Sequence, residues 1–412
     1  MNVTTTPQHA PMTQFAVDGD QLLIGGIPVS LLAQRVGGTP FYAYDRQLLT
    51  ERIKQLRKDM PPDLKIHYAM KANPMPAVVQ HMATLVDGFD LASVGEMQVA
   101  LDTPMPARHI SMAGPGKRSE ELRQAVAAGI TVNAESLNEV MSLARVSEEI
   151  GLPAKVALRI NPAFELKASG MKMGGGAKQF GIDEELIPEA LQRVATLGLA
   201  FQGFHIYSGS QNLKAESIIE AQQKSLDLAL QLAGCCPSPL GKLNIGGGYG
   251  IPYFPGENRL DTRQIGDALA VAMARFKAAQ PETDIIVELG RYLVGEAGVY
   301  VCKVTDKKVS RGQVFLIADG GLHHNLAASG NFGQVIRKNY PVAIATKMSA
   351  KELEIVNIVG PLCTPLDSLA DKMLLPKAEI GDLVAVYQSG AYGYSASPKD
   401  FLSQPYAKEV LV

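Results

Sequence analysis

Eight short strand-like runs recur between residues 65 and 288, each followed by sequence that suits a helix. The runs are KIHYAM (65–70), DGFDLA (87–92), RHISMA (108–113), ITVNA (130–134), KVALRI (155–160), FQGFHIY (201–207), GKLNI (241–245) and DIIVE (284–288). Between them, RSEELRQAVAA (118–128), ESLNEVMSLARVSEEI (135–150), EELIPEALQRVAT (184–196) and residues 215–233 carry apolar residues at helical spacing. Eight strand-then-helix units point to a (β/α)8 TIM barrel, an α/β fold. After Glu288 the pattern changes, and 298–307, 313–318, 353–359 and 382–387 read as strands among Gly and Pro turns. The chain thus predicts a second, all-β domain. Residues 14–32 also read as strand, turn and strand.

A length of 412 residues suits two domains, one of them a barrel of roughly 250 residues. The net charge of −2 and the lack of a Lys/Arg run argue against nucleic acid or an anionic membrane as partner. No apolar stretch reaches membrane-spanning length, and MNVTTTPQHAPMTQF lacks the basic start and apolar core of a signal peptide, so a cytoplasmic location is expected. Four cysteines without C-x-x-C spacing argue against a disulfide framework or structural zinc, and Cys235, Cys236 and Cys302 read as core or incidental. The pair His323–His324 lacks a third ligand at metal-binding spacing, so no metal is expected. GPGKRS (114–119) is no phosphate loop, because Ser111 stands where the first glycine is needed and Arg118 follows the lysine.

The chemistry gathers at the C-terminal ends of the expected strands, the face on which barrels build their sites. HYAMKANPM (67–75) places Lys71 at the end of the first apolar run, where desolvation would make its amine nucleophilic and suited to a Schiff base. Asp90 and Glu96 flank the end of the second strand, Arg159 ends the fifth, His205 lies in the sixth and Glu288 ends the eighth. Gly246, Gly247 and Gly248 follow the seventh, where backbone N–H groups can approach an anion, and with Ser208 and Arg291 they form an expected phosphate cradle. AFELKASGMKMGGGAKQFG (163–181) reads either as a surface loop or as a lid.

Together with DGFDLASVGE (87–96), GFHIYSGSQN (203–212), NIGGGYG (244–250), ELGRYLVGEAG (288–298), GPLCTPLD (360–367) and SGAYG (389–393), the lysine motif resembles the pyridoxal-phosphate decarboxylases of the alanine-racemase-like barrel type, the diaminopimelate and ornithine decarboxylase family. The resemblance runs from about residue 36 to the C-terminus. It implies domains at 1–35 (strands joining the β domain), 36–290 (cofactor-binding barrel) and 291–412 (β domain). It also implies pyridoxal 5'-phosphate on Lys71, decarboxylation through a quinonoid intermediate, and a homodimer with shared sites.

In that likeness Glu288 faces the pyridine nitrogen, where an acid strengthens the electron sink and favours decarboxylation over racemisation. His205 stacks on the ring. Asp90, Glu96 and Arg159 hold Lys71, His205 and the ring oxygen, and Gly290 belongs to the phosphate motif. Cys363 reaches a partner's site and handles the proton returned to the α-carbon, and Tyr392 contacts the phosphate.

Thr364 departs from the pattern. The diamino-acid enzymes carry an acid there to recognise a distal ammonium, and a site lacking it suits another substrate. The CTP motif, GMKMGGGAKQFGI, HIYSGSQNL and GGLHH resemble more closely the branch acting on carrier-tethered glutamyl or citryl-amino acid conjugates, including exosortase-A-associated decarboxylases. Arg337, Tyr340, Thr364 and His323, with Lys172, Lys178 and His324, are the candidate contacts to such a substrate. Diaminopimelate decarboxylase proper, a racemase and a non-catalytic regulatory homologue are the alternatives.

Overall fold

The computed structural model describes residues 8–165, 174–334 and 337–412, together with the backbone of 171 and 172. The expected insert at 163–181 therefore lies partly outside the described residues, as does the side chain of Lys172. The chain forms two compact units. One comprises residues up to Glu51, Pro252–Arg259 and Leu293–Val412, the other Arg52–Ile251 and Leu260–Tyr292.

The second unit is the barrel. Its strands are Lys65–Ala69, Gly88–Leu91, Ile110–Met112, Thr131–Ala134, Lys155–Asn161, Ala200–Ile206, Lys242–Gly247 and Asp284–Leu289. All pair in parallel, and the eighth pairs with the first, so the sheet closes on itself. Each expected run holds one strand. The connecting helices follow from local chemistry. Ser93 and Ser136 cap helices Val94–Leu101 and Leu137–Ile150 by accepting the N–H of Glu96 and Glu139, the serine-x-x-glutamate signature of a helix start. Asp261 caps Thr262–Ala279 by accepting the N–H groups of Arg263 and Gln264. No described helix is long and apolar enough to cross a membrane.

The first unit is built on the 13-residue strand Gly298–Ser310. Its first half pairs with Phe41–Tyr44 and Leu383–Val386, and its second half with Gln313–Ala318. Leu353–Val359 and Ser368–Pro376 extend that sheet, and Val342–Ile344 and Lys408–Leu411 complete the other edge. The N-terminal strands Val17–Asp18, Gln21–Ile24 and Ile27–Pro28 form a small sheet. Leu22 and Ile24 enter the same core as Phe41, Val299, Val301 and Ala385.

The compact units break the chain after Glu51 and before Leu293, where the sequence places boundaries at 35 and 290. Residues 36–51 fall with the β unit, because Phe41–Tyr44 is a strand between Gly298–Ser310 and Lys408–Leu411. Its four residues are all buried, so FYAY shows none of the alternation that marks a half-exposed strand. Residues 252–259 also leave the barrel, as Gln388 holds the Pro252 carbonyl at 2.8 Å within the β unit.

One glycine fixes the barrel's geometry beside the site. Gly203 stands at a bulge in the sixth strand with φ of 148°, and a Cβ there would lie 1.8 Å from the Lys242 carbonyl oxygen. Gly203→Ala should therefore lower stability by about 3 kcal/mol or more in urea unfolding; a change under about 1 kcal/mol would show that the bulge yields freely.

Candidate active site

Lys71 occupies the turn Met70–Ala72 that follows the first barrel strand, and its Nζ lies 3.3 Å from Glu288 Oε1 at the end of the eighth. The close approach needs Gly290, where a Cβ would come within 2.9 Å of Ala72 Cβ. The lysine Nζ also sits 5.2 Å from the centre of the Tyr207 ring. Glu288 is buried at 4% exposure, and Asn244 Nδ2 donates to its Oε2 at 3.4 Å. His205 Nε2 lies 3.0 Å from the same oxygen as an ion-pair contact, and Nδ1 of this buried ring has no hydrogen-bond partner among the described residues. Burial would raise the Glu288 pKa, but the Lys71 ammonium, His205 and Arg159 outweigh it and hold the carboxyl well below its usual range. An ionised acid thus stands between an amine and a buried imidazole.

Beside this cluster the loops after the sixth and seventh strands are laced together. Asn212 N donates to the Gly248 carbonyl at 2.9 Å, and Gly250 N donates back to the Asn212 carbonyl at 2.8 Å. A Cβ on Gly246 would meet the Ile206 carbonyl at 2.7 Å, and one on Gly247 the Glu288 carbonyl at 2.1 Å. Gly246 and Gly248 both take positive φ, 69° and 77°. Ser208 is buried in the adjoining loop, and Arg291 opens the short helical turn after the eighth strand.

Residues 46–295 match the family described as pyridoxal-dependent decarboxylase, pyridoxal binding domain. The chain belongs to the pyridoxal-dependent decarboxylases. This decarboxylase is 39% identical to the L-glutamyl-[BtrI acyl-carrier protein] decarboxylase of Niallia circulans, over 90% of its length and 88% of the relative's. It is 32% identical to the diaminopimelate decarboxylase of Aquifex aeolicus, over 98% and 93% of the two chains. The crystal structure of diaminopimelate decarboxylase from M. jannaschii in co-complex with L-lysine superposes with a TM-score of 0.86 at 26% identity, covering 97% of this chain and 92% of that one.

The decarboxylase is a carboxy-lyase whose cofactor is pyridoxal phosphate. Its residues fit that group: a glycine loop whose backbone takes the positive φ that lets N–H groups approach an anion, a buried imidazole beside the acid, and an anionic carboxylate beside a lysine.

The expected supporting residues are near the site but bonded elsewhere. Asp90 accepts from Ser111 Oγ and lies 3.2 Å from His67 Nδ1, inside the barrel. Glu96 completes its helix cap by accepting Ala92 N at 2.7 Å; burial raises its pKa against the pull of that N–H and of Lys71. Arg159 donates to Glu135 Oε1 at 2.7 Å and lies over the Phe180 ring.

Glu135, which the sequence reading passed over, also accepts Gly114 N at 2.5 Å and Gly181 N at 3.2 Å. It ties together chain that follows the third, fourth and fifth strands. Lys117 of GPGKRS is buried against Glu139 at 2.5 Å, which confirms a structural turn there.

Apart from Lys172 and Lys178, which belong to the barrel unit, the remaining candidates stand in the β unit. Cys363 is exposed. Tyr392 has φ of 52°, an uncommon and strained conformation for a bulky residue. Tyr340 lies tilted against Tyr253, their ring centres 4.6 Å apart. Arg337 donates to the Ser329 and Ser368 carbonyls and to Asn339 Oδ1, so its guanidinium braces loops.

His323 and His324 are buried with ring centres 3.8 Å apart. His324 lies 3.1 Å from the Tyr300 hydroxyl through Nδ1 and 2.8 Å from the Pro405 carbonyl through Nε2, a pattern that suits the neutral ring. Burial pushes both imidazoles down to about 4. The unfolded chain, with histidines near 6.5, therefore takes up protons that the fold refuses as pH falls. The stability these groups contribute is complete above pH of about 6.5 and is lost towards pH 4, by on the order of 3 kcal/mol per histidine. Urea unfolding across that range should show the loss, and His324→Gln should about halve it; an equally steep profile in the variant would place the effect elsewhere.

Proposed function

We propose that this decarboxylase acts on an amino-acid conjugate with an acyl-linked or anionic side chain, such as a glutamyl group tethered to a carrier protein, and that its site is completed by a second subunit. The observation that carries the substrate reading is the fate of the one acid in GPLCTPLD (360–367). Asp367 is buried and accepts Leu322 N at 2.6 Å and Leu362 N at 2.9 Å. Thr364 turns its Oγ1 towards Leu366 N at 3.3 Å. The loop thus offers no carboxylate to a distal ammonium, and a buried ammonium without one loses several kcal/mol, on the order of 2–5. The carrier-protein relative acts on a substrate of the class that such a loop would accept.

In this reading Lys71 holds the cofactor covalently through its amine. Pyridoxal phosphate, when bound, supplies an electron sink for the pair left on the α-carbon as CO2 departs. Glu288, kept ionised by its neighbours, would hold a proton on the cofactor's ring nitrogen. His205 offers a flat ring face, while Gly246, Gly247, Gly248, Ser208, Gly290 and Arg291 take the phosphate. Asp90, Glu96 and Arg159 hold the surrounding loops and strand ends. The Cys363 thiol of the second subunit gives its proton to the α-carbon, and solvent reprotonates the thiolate. Tyr392 reaches the phosphate from that same subunit. A cytoplasmic setting would keep Cys363 reduced.

The second reading is diaminopimelate itself, favoured by the 32% identity that spans 98% of the chain. CO2 release should be measured on glutamyl-carrier protein, citryl-amino acids, meso-diaminopimelate, ornithine and lysine, with Lys71→Ala as the inactive control. The conjugates should exceed the free diamino acids by about 100-fold in kcat/KM, about the 2–3 kcal/mol that a missing charge partner is worth. Turnover of meso-diaminopimelate at about 10⁴ M⁻¹s⁻¹ or more would overturn the proposal.

The shared site has its own test. Mixing inactive Lys71→Ala with strongly impaired Cys363→Ala protein should restore up to about a quarter of the activity, since only the mixed dimer contains one intact composite site. No recovery after proven subunit exchange would refute sharing.

A further inference from the structure

We propose that Asp367 is a positioning residue that fixes Cys363 by fastening its loop to the neighbouring glycine loop at 320–322. The inference rests on the proton-donating role given to Cys363 above. Residues 360–367 leave and rejoin the sheet between strands Leu353–Val359 and Ser368–Pro376. The root of this loop is closed by Gly360 N to the Asp367 carbonyl at 3.0 Å, and its tip by Asp367 N to the Thr364 carbonyl at 3.2 Å.

Across these bonds the Asp367 side chain reaches both ways. One oxygen takes Leu362 N, the residue before Cys363, and the other takes Leu322 N in the loop after strand Gln313–Ala318. Both flanking positions are glycine because the carboxylate occupies their side-chain space. A Cβ on Gly321 would fall 2.0 Å from Oδ1, and one on Gly360 2.2 Å from Oδ2. A buried carboxylate that accepts two backbone N–H groups holds them in a fixed geometry, since a buried donor left unpaired is costly. Cys363 itself makes no such anchor and is exposed, so its placement depends on the bond one residue before it.

The test is a double-mutant cycle on the holoenzyme, with glutamyl-carrier protein as substrate or meso-diaminopimelate should the substrate panel select it. Asp367→Asn keeps the shape but sets an NH2 against one of the two N–H donors. It should lower kcat by about 100-fold, as a misplaced reacting group does, while KM and the absorbance band of the bound cofactor stay unchanged. In a Cys363→Ala background the same replacement should cost nothing further, because Asp367 acts through the thiol. Gly360→Ala, which displaces the carboxylate without removing it, should repeat the pattern if Asp367→Asn folds poorly. A loss of equal size in the Cys363→Ala background, a loss confined to KM, or wild-type kcat in Asp367→Asn would each overturn the proposal. Wild-type kcat in Cys363→Ala alone would instead overturn the role of the thiol, a failure read from that single variant.

Discussion

Glu288 is a carboxylate almost wholly removed from water, and an unpaired charge in that position would simply take up a proton. It stays ionised because the barrel delivers Lys71 from the first strand's turn, His205 from the sixth strand and Asn244 from the seventh to the end of the eighth. Closure of the sheet is what makes those strands neighbours. Register then does the rest: His205 pairs laterally with Asn244 on one side and Arg159 on the other, while Glu288 pairs with Gly247 and His67. A slip of one residue in any of these pairings would turn the side chains to the outside of the barrel.

The same dependence explains why small residues crowd the mouth. Gly246, Gly247 and Gly290 each lie where another backbone or side chain passes too close for a Cβ. These glycines serve packing as much as any ligand, since the space they leave is partly filled by the protein itself. The loops they belong to are held from both sides before anything binds, so little ordering is left to be done at that moment.

Much of this was legible in the chain. Each barrel strand is a buried run bounded by turn residues, and the helices announce themselves through Ser93–Glu96 and Ser136–Glu139. Lys71, Glu288, His205 and the glycine triplet sit where strand ends put them, so counting strands was enough to bring them to one face. The strand Phe41–Tyr44 was missed because it is buried throughout and lies far in sequence from Gly298–Ser310, with which it pairs. Glu135 was missed for a related reason. As the residue just before a helix cap it looks like an ordinary first-turn acid, and only the fold brings Gly114, Arg159 and Gly181 to it. Arg337, expected near the substrate entrance, places donors on the Ser329 and Ser368 carbonyls and on Asn339 of its own unit, bonds that only the fold reveals.

The glycine-rich insert is moored at several points, and its backbone at 171 and 172 pairs with Gly209–Ser210. Asn161 accepts Gly175 N and donates to the Gly176 carbonyl and Asp183, Glu135 holds Gly181 N, and Gly174 packs against Pro162 and Ser208. A segment fixed at its moorings can be exchanged for a longer or shorter one at a cost of only about 0.6 kcal/mol per doubling of its length. The barrel and its charged cluster would be undisturbed. Divergence among such enzymes then has a cheap route: the stretch after the fifth strand can be rewritten in one cassette while the chemistry at the strand ends is inherited whole.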